Sequence, residues 1–172
     1  MEEIEVPTEH LHEAIHERAE ETAHEKGSHW NMYVAISTAL IAVFAAIAGL
    51  MAGHHSNEAL IEQIKSSDQW AYYQAKGIKA EIKGLAVNDP LAAAAITKYK
   101  KEQEEIKKTA EEEVHLSEFH LSRHVLLAKS VTLFQIAIAI SAIAILTRKK
   151  ILWYTGLLFS AVAMYFFISG ML

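Results

Sequence analysis

The chain lacks cysteine altogether and contains only two prolines among its 172 residues. Without thiols it cannot form disulfides, bind zinc through thiolates or use a cysteine nucleophile. Charged residues are also missing from three long blocks, although 22% of the chain is charged. Such segregation is typical of a chain that meets both lipid and water. The three blocks are residues 30–53, 130–147 and 151–172.

The uncharged blocks predict three membrane-spanning helices. The first would reach about 36 Å as a helix, which is enough to cross the hydrocarbon core of a bilayer. Trp153, Tyr154 and Tyr165 lie near the ends of the third block, where aromatic side chains meet the membrane interface. The predicted fold is therefore all-α. The predicted organisation is an acidic histidine-rich tail (1–29), a first span (30–53), a helical hairpin domain (54–129), a second span (130–147) and a third span (151–172).

Basic residues next to the spans predict the orientation. Arg148, Lys149 and Lys150 alone separate the second and third spans, and short basic loops stay in the cytoplasm. Lys26 precedes the first span closely, whereas the first basic residue after it is Lys65. We therefore expect the N-terminus to be cytoplasmic and the hairpin domain to face the other side of the membrane.

Residues between the first two spans predict a protruding antiparallel coiled-coil hairpin of roughly 45 Å. Apolar or small residues recur there at steps of three and four, the spacing of a helical seam. Asn88, Asp89 and Pro90 break the pattern, with Asp89 suited to cap a helix and Pro90 to begin it. The predicted seam uses Leu60, Ile64, Ser67, Ala71, Ala75, Ile78, Ile82 and Leu85, then Ile96, Tyr99, Gln103, Ile106, Ala110, Val114, Ser117, Leu121 and Val125.

Histidines in the N-terminal tail form the first candidate metal site. Glu9 precedes His12 by three residues, and Glu13 precedes His16 by three, so a helix would project all four to one side. Imidazole and carboxylate groups at this spacing suit a divalent transition metal. One helix offers too few ligands, so several copies would have to converge. The alternative is an acidic amphipathic helix whose histidines face water.

A second histidine cluster flanks the hairpin domain. His54 and His55 follow the first span, while His120 and His124 precede the second, so an antiparallel hairpin brings them to one membrane face. The cluster predicts either a weaker metal site or a group that changes charge between pH 5 and 8. The alternative is a set of amphipathic spacers at headgroup level.

Trp70, Tyr72 and Tyr73 form an aromatic patch midway along the first hairpin helix. One seam cannot bury three rings that project on several sides. Either the rings cover the second hairpin helix from two sides, or some of them reach another subunit and form an oligomer interface.

Several functions are disfavoured by what the spans and the charge pattern lack. No formal charge falls within a span, which argues against a proton-coupled transporter. No basic stripe interleaved with aromatics is present, so nucleic acid is not an expected partner. The tyrosines have no partnered base, and we expect no enzyme activity. Ala45, Gly49 and Gly53, and likewise Gly156 and Ser160, favour close helix packing.

Three segments carry a resemblance to a known family. They are Pro7 to Glu13, the run Gly53-His54-His55-Ser56-Asn57-Glu58-Ala59, and especially Asp68-Gln69-Trp70-Ala71-Tyr72-Tyr73-Gln74-Ala75-Lys76. The sequence resembles an uncharacterised family of small bacterial membrane proteins classed as a domain of unknown function. The resemblance implies a bacterial inner-membrane protein with this arrangement of spans. It implies no activity, ligand or partner.

The sequence favours a non-enzymatic homo-oligomeric membrane protein that lies in the lipid bilayer as a scaffold or a channel-like assembly. The alternative is a metal- or proton-responsive membrane module that uses the clustered histidines. A bound divalent transition metal would favour the alternative, and a symmetric assembly with a wetted axis would favour a channel.

Overall fold

The computed structural model describes residues 29–85 and 90–172, which form three α-helices. Helix α1 covers His29–Gly84, α2 covers Pro90–Thr147 and α3 covers Lys150–Met171. No strand occurs within these two ranges. The all-α prediction is therefore confirmed for the part of the chain that the structure describes.

All three helices are long and apolar enough to cross a membrane. In α1 and α2, the uncharged block and the charged segment belong to one uninterrupted helix. Contacts divide the chain into two compact units. Among the described residues, the span unit comprises residues 29–50 and 126–172, and the paired-helix unit comprises residues 51–85 and 90–125.

The core of the span unit joins all three helices through aromatic side chains. Phe44 of α1 lies 6.4 Å from the ring of Phe134 in α2 and 6.2 Å from the ring of Phe167 in α3. Phe134 is fully buried. Trp153 of α3 also donates a hydrogen bond to the Ser37 hydroxyl of α1 over 3.1 Å. Each helix is therefore held by contacts with the other two.

Helices α2 and α3 approach each other closely where α3 carries a glycine. A Cβ atom at Gly156 would lie 2.9 Å from Ser141 Oγ and 3.1 Å from the carbonyl oxygen of Ala137. Gly156 therefore serves the close packing that its position in a small-residue series predicts. By contrast, Gly49 and Gly53 have nothing within 4 Å of such an atom in the described structure. Their side of α1 is therefore not packed against α2 or α3.

A very short turn connects α2 to α3. Arg148 has a φ of 52°, in the left-handed region that ends a helix, and Lys149 is extended. The chain thus reverses direction between α2 and α3 through Arg148 and Lys149, and α3 begins at Lys150.

Within the paired-helix unit, α1 and α2 run antiparallel with side-chain bonds along their length. Lys76 meets Glu102, Ser66 meets the backbone of Ala110, and His55 meets His120. Residues farther along α1 thus contact residues earlier in α2. Helix α2 begins at Pro90, as the sequence predicts, while Asn88 and Asp89 lie outside the described residues.

Candidate functional site

The contact face between the two helices of this unit is made mainly of small and polar residues. Ala59 and Ala110 are buried there, and alanine lets the two backbones approach closely. Ser117 therefore reaches across to donate to the Ala59 carbonyl over 2.8 Å, and Ser66 donates to the Ala110 carbonyl over 3.1 Å. Gln103 donates in the same way to the carbonyl of Tyr73 over 3.1 Å. These bonds satisfy buried hydroxyls and fix the register of the pair.

The aliphatic seam predicted for α1 lies on the outside of this pair, not in its contact face. Its five large aliphatic side chains are between 54% and 80% exposed. Their periodicity is helical, as predicted, but the packed face of α1 carries Ala52, Ala59, Glu62, Ser66 and Ala80 instead. We call the exposed row the outer stripe. It comprises Leu60, Ile64, Ser67, Ala71, Ala75, Ile78, Ile82 and Leu85.

The predicted seam of α2 is correct in its middle and wrong near the membrane end. Ile106, Ala110 and Ser117 are buried, as the spacing predicts. Leu121 and Val125 are exposed instead, and the contact face passes through the preceding histidines. Here too, an aliphatic row is left on the surface while shorter or polar residues make the contact.

The outer face of α2 is charged along its middle, in contrast to the outer stripe of α1. Lys98 lies 3.9 Å from Glu102. Two further pairs follow along the helix, Lys107 with Glu111 at 3.8 Å and Lys108 with Glu112 at 3.9 Å. Exposed pairs of this kind contribute little to stability and mark a surface that faces water. Exposed large apolar side chains thus run along α1, whereas those of α2 lie towards its two ends, at Leu91 and at Leu116, Phe119, Leu121 and Val125.

Histidines join the two helices near the ends of the unit. His55 Nδ1 lies 2.9 Å from His120 Nδ1, so one imidazole donates its proton to the other. Nδ1 of His124 lies 2.9 Å from the carbonyl oxygen of Ala52 and donates to it. Two of the four histidines predicted to meet are therefore in direct contact across the helix pair.

The environment of His55 favours its neutral form. Partial burial is the largest cause, followed by the nearby His120, His54 and Arg123, and together they lower the pKa of His55. Glu58 acts in the opposite direction with a smaller effect. A neutral imidazole keeps a lone pair available for a proton or a metal ion.

The described residues of one chain do not bring enough ligands together for a closed metal shell. His54 lies beside His55 with ring centres 5.6 Å apart, but it bridges to no residue of α2. Among residues 29–85 and 90–172, no group of three or more His, Asp or Glu side chains is arranged to hold a metal ion. The predicted tail ligands Glu9, His12, Glu13 and His16 lie outside the described residues.

The aromatic patch divides between the contact face and the surface. Trp70 and Tyr73 are half-buried and meet edge to face at 5.5 Å, while Tyr72 is exposed. Lys76 Nζ lies 5.0 Å from the centre of the Tyr72 ring and 5.4 Å from that of Tyr99 on α2. Tyr73 therefore lies towards α2, where its carbonyl accepts from Gln103, whereas the exposed Tyr72 ring leaves the oligomer interface a prediction.

Lys76 is also part of an ion pair between the helices that the sequence analysis missed. Its ammonium lies 2.5 Å from the Glu102 carboxylate. This hydrogen bond, with a smaller effect from Tyr72, raises the pKa of Lys76 to about 12. The same bond lowers the pKa of Glu102. In the sequence, the only sign of this ion pair was the predicted reversal near residue 89, because it places positions 76 and 102 opposite each other.

Two carboxylates in the contact face were also missed. Glu62 is buried and pairs with Lys65 at 2.8 Å. Glu113 has a buried oxygen, Oε2, without a hydrogen-bond partner among the described residues. A pattern of charged and apolar residues assigns such glutamates to solvent. Their burial follows only from which face of each helix packs against the other.

Comparison with known proteins identifies a family but no characterised relative. Neither the curated proteins nor the solved structures gave a match to the chain. A model of one protein family matches residues 30–172, which include all three helices except the first residue of α1. The chain therefore belongs to the family described as a domain of unknown function, DUF4337.

Proposed function

We propose that the protein is a non-enzymatic, homo-oligomeric membrane protein of the bacterial inner membrane that acts as a scaffold. The observation that carries this proposal is the outer stripe. A helix that packs through alanine and serine on one face while exposing a row of leucine and isoleucine on another has two possible contact faces, and only one is used among the residues that the structure describes.

The free energy available from burying the outer stripe supports association of copies that are anchored in one membrane. Complete burial of one Leu or Ile side chain contributes about 1.5–3 kcal/mol, so completing the burial of five half-exposed ones gives roughly 5 kcal/mol per copy. Association in solution costs about 4–15 kcal/mol of lost freedom. Confinement in one bilayer lowers that cost because neighbouring copies already share depth and orientation. The stripe is thus suited to joining copies in a membrane.

Surfaces of the span unit support the same proposal. Gly49 on α1 faces open space, and small residues of this kind let helices of different copies approach closely in lipid. The spans carry no charge that would line an ion pathway. The channel-like version of the proposal would therefore need a polar axis formed at the centre of the assembly.

Native mass spectrometry in mild detergent tests the proposal directly. We expect the intact chain to give the mass of two or more copies. The Trp70→Ala/Tyr72→Ala variant is expected to weaken the assembly and keep its helicity, because these two rings border the outer stripe, whereas Tyr73 lies on the face that contacts α2. A single-copy mass for the unaltered protein at every concentration tested would reject the scaffold.

A second candidate function is a metal- or proton-responsive module, favoured by the contact between His55 and His120. A divalent transition metal could replace the proton that these two imidazoles share, with further ligands supplied by the same histidine pair of other copies. His12 and His16 of converging tails would form a separate site on the other side of the membrane. Calorimetric titration of zinc and nickel into the unaltered protein, a His55→Ala/His120→Ala variant and a His12→Ala/His16→Ala variant separates the two sites. Equal binding by all three proteins would exclude both histidine sites.

A further inference from the structure

The outer stripe has a definite direction relative to the contact face of the same helix. At 3.6 residues per turn, the two rows lie roughly 150° apart around α1. The stripe therefore points away from α2, and no rearrangement of side chains within the pair could bury it. Whatever covers it must come from outside the paired-helix unit.

The spacing of the stripe describes the partner that fits it. Steps of three and four over 26 residues match a second long helix that lies along α1 at a small angle, with knobs from each helix entering holes of the other. Small residues, Ser67 and Ala71, separate the larger residues at Ile64 and Ile78. A helix with the same row of large and small residues can interdigitate with it.

Charges beside the stripe select the relative direction of the two helices. Near the end of α1, Lys79 and Lys83 are exposed on one flank and Glu81 on the other, while the exposed Asp68 lies earlier on the lysine flank. When two copies of α1 pair side by side in the same direction, opposite flanks of the two helices face each other. Glu81 of one copy then lies beside the lysine flank of the other, and the reciprocal contact forms by symmetry.

We propose that the outer stripe packs against the outer stripe of a second copy of this chain, with the two α1 helices parallel and in register. This inference rests on the proposed function and names the surface through which copies assemble. Copies inserted in one bilayer with a common orientation present α1 in the same direction. The aromatic patch then borders the contact, because Trp70 and Tyr72 lie on opposite flanks of the stripe.

The absence of cysteine makes the proposal testable with single introduced thiols in the full-length protein in native membranes. In a parallel, in-register pair, equivalent stripe residues lie within the Cα separation of about 7 Å that a disulfide can bridge. We therefore expect Ile64→Cys and Ile78→Cys each to form covalent dimers on mild oxidation. The matched control is Lys108→Cys, at a side chain that is 80% exposed on α2 and is expected to stay monomeric.

Different outcomes separate this proposal from the proposed function. If Ile64→Cys links only to a co-expressed Ile82→Cys copy and never to itself, the helices are antiparallel and the proposal fails. If no stripe variant links more than Lys108→Cys does, while native mass still shows several copies, another surface assembles them. If native mass shows one copy, both the proposal and the proposed function fail.

Discussion

Enlarging the alanine at the centre of the paired helices should destabilise them, whereas a polar residue on the aliphatic stripe should not. Ala110 is fully buried, and its carbonyl accepts the Ser66 hydroxyl over 3.1 Å. In Ala110→Leu, overpacking costs about 1–3 kcal/mol, and losing that hydrogen bond costs about 1 kcal/mol more. We therefore expect Ala110→Leu to lower the free energy of unfolding by about 2–4 kcal/mol, although the substitution adds apolar surface.

Two controls isolate the effect of the packed face. Ala94→Leu makes the same chemical change on the same helix at an exposed position, and Ile82→Gln places a polar group where the side chain is 61% exposed. Both should change the free energy of unfolding of a single copy by no more than about 0.5 kcal/mol. The helix propensity of leucine differs little from that of alanine, and that of glutamine differs little from that of isoleucine.

Amide hydrogen exchange in detergent, at a dilution where single copies predominate, measures this difference. Each 1.4 kcal/mol changes the open population about tenfold, so Ala110→Leu should speed exchange in Met51–Val125 by roughly 30- to 1,000-fold. Comparable acceleration by Ile82→Gln would refute the assignment of the two faces. Unchanged exchange in Ala110→Leu would refute the close approach of the helices.

Three further predictions concern pH, topology and span packing. Because the pKa of Glu102 is lowered in the folded protein, the unfolded chain binds more protons below about pH 4.5, and stability should fall as pH drops through that range. A Lys76→Met variant should lose less stability on acidification in urea titrations at several pH values. Thiols introduced at Asn88 and Lys149 should react with impermeant reagents from opposite sides of intact cells, and labelling from the same side would contradict the topology. Gly156→Val should loosen the packing of α2 and α3, because its Cβ would meet Ser141 Oγ at 2.9 Å, and it should lower the thermal midpoint more than Gly49→Val, which enters open space.

In the paired helices, the residues that hold the pair together differ from those proposed to join copies. Serine and alanine bring two backbones close enough for side chains to bond to carbonyl groups, which fixes register but buries little apolar area. Leucine and isoleucine on the opposite face keep most of their apolar surface available. Variants of the two faces should therefore separate folding from assembly.

The sequence by itself determined the helices, the apolar blocks and the place of the reversal. Charge-free blocks of this length predict helices long and apolar enough to cross a membrane, and all three are present. Helix α2 begins at Pro90 because proline favours the first turn of a helix. The approach of His55 to His120 also follows from an antiparallel reversal alone. The helices, the apolar blocks and the reversal depend on the residues within each segment and on the direction of the chain, not on which helix faces pack together.

Only the tertiary structure decided which face of each helix is used. Leu60 and Ala59 are neighbours in the sequence, and both belong to rows with helical spacing, so periodicity could not choose between them. Hydrophobicity favoured the row of Leu60, but Ala59 is the residue that is buried, because close backbone approach and hydroxyl bonds to carbonyls require small side chains. The register that satisfies these bonds also sets Lys76 opposite Glu102, a pairing between residues distant in the sequence.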